Sequence, residues 1–304
     1  MDKNGCTLIL DRVTKSFDDF RAVDELSLCV RPGRIFGLIG PNGAGKTTTM
    51  RMIVNIYAPD SGRIELFGEQ MNPRLQDRIG YLPEERGLYR KMKVSEQLRF
   101  FGELKNFRGQ PATASIERWL AKLRLTEWQH KKAMELSKGM QQKIQFIAAV
   151  QHDPDLLVLD EPFSGLDPLS VELLKTVVLE LKAAGKTIIY STHMMELAEK
   201  ICDDICLINR SRKILDGSLR EVKSGFGRNA VALRLEGGDH VLDDRGLVTG
   251  VSHRSDEMEV LLAEGASSQE LLSRLLASGA KITRFELIEP SLNDIFIEQV
   301  GSAT

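Results

Sequence analysis

Three short apolar runs mark the first two-thirds of the chain: RIFGLI (34–39), LLVLD (156–160) and TIIY (187–190). Runs of this length without polar alternation read as strands buried on both faces of a parallel sheet. Helical spacing follows the first run in TTTMRMIVNIY and recurs in EQLRFFGELKNF and MQQKIQFIAAV. The pattern changes past the glycine-containing stretch KSGFGRN, which reads as a linker. Strands are predicted beyond it at about 229–236, 247–252, 257–263 and 281–288. A helix over 268–278 sets leucines 271, 272, 275 and 276 on one face, with Ser267 and Glu270 as a capping box. A last helix starts at Ser291 with Asp294 as its capping partner. Two domains are therefore expected: an α/β domain over 1–221 and a small α+β domain over 222–304.

Charge supports the division. Residues 221–304 hold 8 Lys/Arg against 14 Asp/Glu, and residues 1–220 hold 33 against 29. The whole chain of 304 residues nearly balances at −2, so no nucleic-acid partner is expected. Hydrophobic residues make up 42%, the level of an ordinary globular protein. No stretch approaches the roughly 20 apolar residues that cross a bilayer. The start, MDKNGCTLILD, lacks signal-peptide character. A cytoplasmic chain is expected, linked to a membrane only through a partner. Cys6, Cys29, Cys202 and Cys206 are too few and scattered for a disulfide framework, and read as reduced, small apolar residues. Cys202 and Cys206 are four apart, but no second Cys/His pair has zinc spacing. His240 and His253 fall on predicted loops with no chemistry around them.

Chemistry concentrates where the apolar runs end. RIFGLI leads into GPNGAGKTT: Gly40, Pro41, Asn42, Gly43, Ala44, Gly45, Lys46, Thr47 and Thr48. This fits G-x-x-x-x-G-K-[ST] between a strand and a helix. By residue frequencies, chance alone gives such a match in roughly one chain of this length in a hundred. Glycines let the loop turn its N–H groups toward phosphate oxygens. Lys46 then reaches the β- and γ-phosphates, Thr47 ligates Mg²⁺ and Thr48 contacts the α-phosphate. LLVLD ends in Asp160, Glu161 and Pro162. Asp160 is expected to hold Mg²⁺ through water, and Glu161 to polarise an attacking water. TIIY runs into Ser191, Thr192 and His193, which puts His193 near the γ-phosphate. At 136–140, LSKGM opens a helix with a serine, a lysine and a glycine, a suitable seat for a further anion.

The order GPNGAGKTT, LSKGM, LLVLDEP, SGLD (164–167) and Thr192-His193 resembles the ATP-binding subunit of ABC transporters, over about residues 5–220. The resemblance implies a P-loop NTPase core with a helical subdomain at about 85–150. It implies two ATPase subunits packed head to tail, each ATP lying between the phosphate loop of one and the signature motif of the other. Ser137 and Gly139 would then hold the γ-phosphate bound by the partner. Phe17 matches the aromatic residue that stacks on adenine, and Asp167 lies in the loop that communicates across the dimer. The helical subdomain would receive a segment of a separate integral-membrane permease, near Leu88 and Tyr89.

Three stretches depart from the family's usual spelling. Lys138 and Met140 replace glycine and glutamine in the signature. Glu84 replaces a glutamine; it can still meet Mg²⁺ but brings negative charge near the γ-phosphate. Arg86 and Gly87 complete an EERGLY run in place of a proline-rich one. YLPEERGLY and LSKGMQQK together are similar to ABC-2-type exporters, the sodium-extrusion ATPases among them, and FELIEPSLNDIFIEQV resembles their C-terminal extension. The expected function is an ATP-hydrolysing subunit that drives an exporter from the inner face of the membrane. An importer subunit, a non-hydrolysing regulatory module and a soluble family member in translation or repair fit less well. The short tail with two helices, the retained Lys46, Asp160, Glu161 and His193, and the single ATPase core each weigh against one of them.

Overall fold

The computed structural model describes residues 5–85, 87–226, 230–254, 257–263, 265–288 and 290–301. Arg86, singled out above, and residues 227–229 of the expected linker lie outside these. The chain divides into two compact units, Met1–Leu219 and Arg220–Thr304.

The first unit opens with a long hairpin, β1 (Leu8–Phe17) and β2 (Phe20–Val30), then β3 (Ile35–Ile39) and α1 (Lys46–Ile53). β4 (Ser61–Leu66), β5 (Glu69–Gln70) and β6 (Ile79–Leu82) follow, then the helices α2 (Val94–Leu104), α3 (Gly109–Lys122) and α4 (Lys138–Val150). β7 (Leu156–Asp160), α5 (Pro168–Ala183), β8 (Thr187–Thr192), α6 (Met195–Ile201), β9 (Asp204–Asn209) and β10 (Arg212–Ser218) complete it.

Two sheets result. One is antiparallel in the order β2-β1-β4-β5. The other runs β10-β9-β3-β8-β7-β6, parallel throughout except for the edge strand β10. All residues of β3, β7 and β8 are buried, as their unbroken apolar runs require. Met50, Met52 and Ile53 of α1 share one apolar core with Leu8, Leu10 and Leu66 of the antiparallel sheet and with Leu38, Val158 and Ile189 of the parallel one. The first helix after the phosphate loop is thus held from two sides. Residues 94–150 form three helices with Leu98, Ile116, Leu120 and Phe146 buried and Trp119 set edge-on to Phe146.

Cys6 and Cys29 correct the expectation of four reduced thiols. They form a disulfide, with Cα atoms 5.8 Å apart. Antiparallel pairing of β1 with β2 brings the two together across 23 residues of sequence, which spacing alone does not reveal. Cys202 and Cys206 are free and buried, and no metal-binding cluster occurs among the described residues. Burial also pushes both thiols well above the usual cysteine range.

In the second unit, α7 (Leu219–Gly225) starts at the boundary and occupies part of the stretch expected to be a linker. β11 (Ala230–Glu236), β12 (Val248–Arg254), β13 (Glu257–Leu262), α8 (Ser268–Ala277), β14 (Lys281–Leu287) and α9 (Leu292–Gly301) follow. The sheet is antiparallel, β12-β13-β11-β14. Leu271 and Leu275 of α8 are buried against Val231, Leu233, Val260 and Leu262. Ser291 and Asp294 cap α9 reciprocally, at 3.2 and 3.1 Å. Ser267 caps α8 through the Gln269 amide, but Glu270 does not close the expected box and pairs with Arg274 instead. His253 lies within β12 opposite Met258 and not on a loop, because the strand runs two residues further than its apolar pattern.

Leu275 is fully buried in this small core. Leu275→Ala should destabilise the second unit by about 2 to 5 kcal/mol. Denaturant unfolding measures this; a shift below about 1 kcal/mol would mean that the core repacks around the gap.

Candidate nucleotide site

β3 ends at Ile39, and the backbone turns through Gly40–Gly45 into α1. Two glycines are required here. A Cβ at Gly40 would lie 2.1 Å from the Ile208 carbonyl oxygen, and one at Gly45 would lie 2.3 Å from that of Ala22. Gly45 also has φ 104°, in the left-handed region. Lys46 begins α1 and is buried. Its Nζ donates to the carbonyl oxygens of Gly40 at 2.8 Å and Pro41 at 3.1 Å. Burial pushes the Lys46 ammonium below the usual lysine range, while Glu161, Asp160 and Glu84 oppose the shift.

β7 carries Asp160 and Glu161 to the same edge of the sheet, with β8 lying between β7 and β3. Both carboxylates are buried, so neighbouring elements must supply their partners. Ser191 serves both residues: its hydroxyl donates to Asp160 Oδ1 and accepts from the Glu161 amide at 3.1 Å. Glu161 Oε1 lies 2.9 Å from His193 Nδ1 and 3.8 Å from Lys46 Nζ. His193, read from sequence as a phosphate contact, is thus bonded to the carboxylate read as the water activator. Glu161 has φ 47°, a strained conformation for a residue with a side chain. Buried Gln142 in α4 braces it: its Nε2 donates to the carbonyl oxygens of Pro162 at 3.2 Å and Glu161 at 3.5 Å.

A cavity of about 370 Å³ opens onto the loop. Asn42, Gly43, Gly45, Lys46, Thr47, Thr48, Glu84 and Glu161 line it, together with Phe20 and Ala22 of β2. Gly40, Pro41 and Ala44 do not line it: Lys46 bonds to the carbonyls of the first two, and Ala44 is buried in the core. Asp160 Oδ2 is buried with no hydrogen-bond partner among the described residues. Phe17 is paired with Phe20 at the hairpin tip and meets Tyr57 edge-on, 5.3 Å between centroids. Phe20 lines the cavity and Phe17 does not.

Ser137 and Gly139 are not brought to this cavity. Ser137 caps α4, its Oγ accepting from the Met140 amide at 3.3 Å. A Cβ at Gly139 would lie 3.4 Å from Leu166 Cδ2, so the signature adjoins the SGLD loop. Asp167 caps α5 by accepting from the Ser170 amide and hydroxyl, which hold its carboxyl below the usual range. Gln142, Ser191 and Phe20 were missed as site residues from sequence. Gln142 is one of four polar residues in MQQKIQFIAAV, and nothing in the sequence singles it out.

A phosphate loop and a buried carboxylate pair at one edge of a parallel sheet define a nucleotide-binding protein of the P-loop class. Residues 23–164 match the family model described as ABC transporter, and residues 217–300 match the C-terminal domain of DrrA1-3-like ATP-binding proteins. The chain is 44% identical to the ABC transporter ATP-binding protein YhaQ of Bacillus subtilis, over 97% of this chain and 99% of that one. It is 35% identical to the Nod factor export ATP-binding protein I of Cupriavidus metallidurans, over 97% of each. A solved ATP-binding subunit of an ABC transporter superposes with TM-score 0.68 at 29% identity, covering 72% of this chain and 93% of that chain. The chain belongs to the ATP-binding subunits of ABC transporters, and the C-terminal match and the Nod factor relatives indicate the ABC-2 branch. ATP is accordingly its nucleotide, and subunits of this family dimerise and work with membrane permeases. No helix among the described residues is long and apolar enough to cross a membrane.

Gly45→Ala should weaken ATP binding at least tenfold, because the new methyl meets the Ala22 carbonyl and the left-handed backbone is strained. Fluorescent-nucleotide titration reads this; unchanged affinity would show that the loop does not need this conformation.

Proposed function

We propose that this chain hydrolyses ATP to drive export through a separate integral-membrane permease. It acts at the cytoplasmic face of the membrane as one of two ATPase subunits packed head to tail. The observation that carries the reading is Glu161: buried, held in a strained conformation, bonded to His193 and open to the cavity beside Lys46. A carboxylate so placed can take the proton of a water that attacks the γ-phosphate. His193 and Gln142 orient it, and Lys46 offsets phosphate charge. Such bracing counts against a non-hydrolysing module.

The donor set fits Mg²⁺. The buried Asp160 Oδ2 without a hydrogen-bond partner suits a cation or its coordinated water, and the Thr47 hydroxyl and Glu84 carboxylate share the cavity. Thr47, Asp160 and Glu84 would hold the ion, which supplies positive charge to the phosphate oxygens when bound.

Pairing is supported by what the cradle lacks: Ser137 and Gly139 do not line it, so a partner's signature would complete it. Phe17 and Phe20 offer aromatic faces for adenine at the hairpin tip. The permease is assigned to an apolar groove of about 330 Å³, lined by Val54, Ile56, Ile79, Leu88, Phe101 and Leu104. Tyr89 stands beside it against Phe100 and Phe101. Residues 1–221 are read as the ATPase domain and 222–304 as the accessory domain of an exporter, in line with the DrrA-like match and the Nod factor export relatives.

Glu161→Gln should lower kcat by roughly a hundred- to ten-thousand-fold. The variant should also double in molar mass with Mg-ATP in light scattering, because hydrolysis reopens the pair. A variant that turns over normally would remove Glu161 from this role. Gln142→Leu removes both bracing bonds and should cost about tenfold to a hundredfold in kcat with ATP affinity kept. An equal loss of affinity would assign Gln142 to folding alone.

A further inference from the structure

The segments before α2 and before α4 bring a cluster of cations together that the nucleotide site does not use. Residues 90–95 and 129–134 run antiparallel. Met134 donates its amide to the Arg90 carbonyl, Ala133 to Met92 and Val94 to Lys131, each at 2.9–3.1 Å. The bridge within this pairing sets Lys93 directly opposite Lys132. Lys91 and His130 lie two residues before Lys93 and Lys132, in the turns that lead into this bridge. Ala133 and Val94 are buried, while Arg90, Lys91, Lys93, His130, Lys131 and Lys132 are all exposed.

Like charges facing each other across a pair destabilise it. Local acids compensate little. Glu96 lies 3.7 Å from Lys93 and Glu135 lies 3.9 Å from Lys131, and both carboxylates also accept backbone amides. Arg90, Lys91 and Lys132 have no ion pair among the described residues. A near-neutral chain thus concentrates positive charge on one small surface. The cations form no cradle with fixed donors, so the patch suits a surface of many anions better than a single group. Exposed Tyr89 and Met134 adjoin it, amphipathic and apolar neighbours of the kind found where cations meet headgroups. Through Tyr89 and its contact with Phe101, it continues into the groove assigned above to the permease.

We propose that the face carrying Lys91, Lys93, His130 and Lys132 is a contact surface for anionic phospholipid headgroups, which steadies the ATPase against the membrane beside its permease. The membrane setting rests on the function proposed above; the charge cluster does not. Each lysine near an anionic surface should raise partition roughly fivefold, and salt should screen the effect.

The test is co-sedimentation of the full chain with vesicles of phosphatidylcholine alone or mixed with phosphatidylglycerol, without nucleotide or permease. The chain should bind the mixed vesicles at low salt, release at high salt and ignore the neutral ones. Changing Lys91, Lys93 and Lys132 together to Gln should cut binding roughly a hundredfold, while the same three changed to Arg keep it. Solution ATP turnover of both variants, which none of these residues touches, checks that they fold. No binding of the wild type to mixed vesicles overturns the proposal, as does equal binding by the Gln variant. If the wild type ignores both vesicles and the Gln variant loses stimulation by the permease, the patch belongs to an acidic protein loop and the lipid assignment fails. Because no hydrolysis is measured in the binding step, its failure leaves the ATPase reading intact.

Discussion

Asp160 and Glu161 sit side by side at the end of a fully buried strand, and two adjacent carboxylates in that position cost free energy unless each finds a partner. The surrounding architecture answers that requirement. β8 lies next to β7; Ser191 near its end and His193 just beyond it bond to Asp160 and Glu161. β3, on the other side of β8, delivers the loop whose Lys46 approaches Glu161. α4 contributes Gln142 to the carbonyl groups just beyond. The same contacts that compensate buried charge hold a strained Glu161 in one orientation, and orientation is what the water activation proposed for it needs.

One consequence is a physical link between two motifs with different tasks. Gln142 lies two residues beyond LSKGM, on the helix whose start is the signature, and it bonds to the backbone of the carboxylate on this chain's own strand. Gly139 adjoins the SGLD loop, which leads from Pro162 to the cap of α5. A phosphate gripped at the start of α4 would therefore bear on the neighbouring Glu161–Pro162 segment through packed, hydrogen-bonded groups. The Lys138 and Met140 variations leave the Ser137 cap intact.

The second unit obeys simpler rules. Its antiparallel sheet carries one apolar face, and α8 covers that face with Leu271 and Leu275. Alternation and caps were legible there because each strand is half-buried, so its pattern shows on every second residue. Errors fell where a local rule met a better partner. Glu270 took Arg274 in place of the cap, and α7 occupied residues that glycines had suggested as linker.

Sequence by itself located the candidate chemistry of this protein at the ends of its apolar runs. The glycines of the loop, Lys46, Thr47, Asp160, Glu161 and His193 are legible because each strand run ends at a functional group, and a buried apolar run is a local signal. Local signals also placed α1, α2, α4, α8 and α9. What only the tertiary structure decided depends on pairing across distance. The Cys6–Cys29 bridge needs the register of β1 on β2. The Ser191 and Gln142 contacts need the order of strands and the packing of α4 on β6. Lys93 meets Lys132 only because two segments some forty residues apart run antiparallel. Register and strand order arise from the sum of many weak contacts, and no single stretch of residues encodes them.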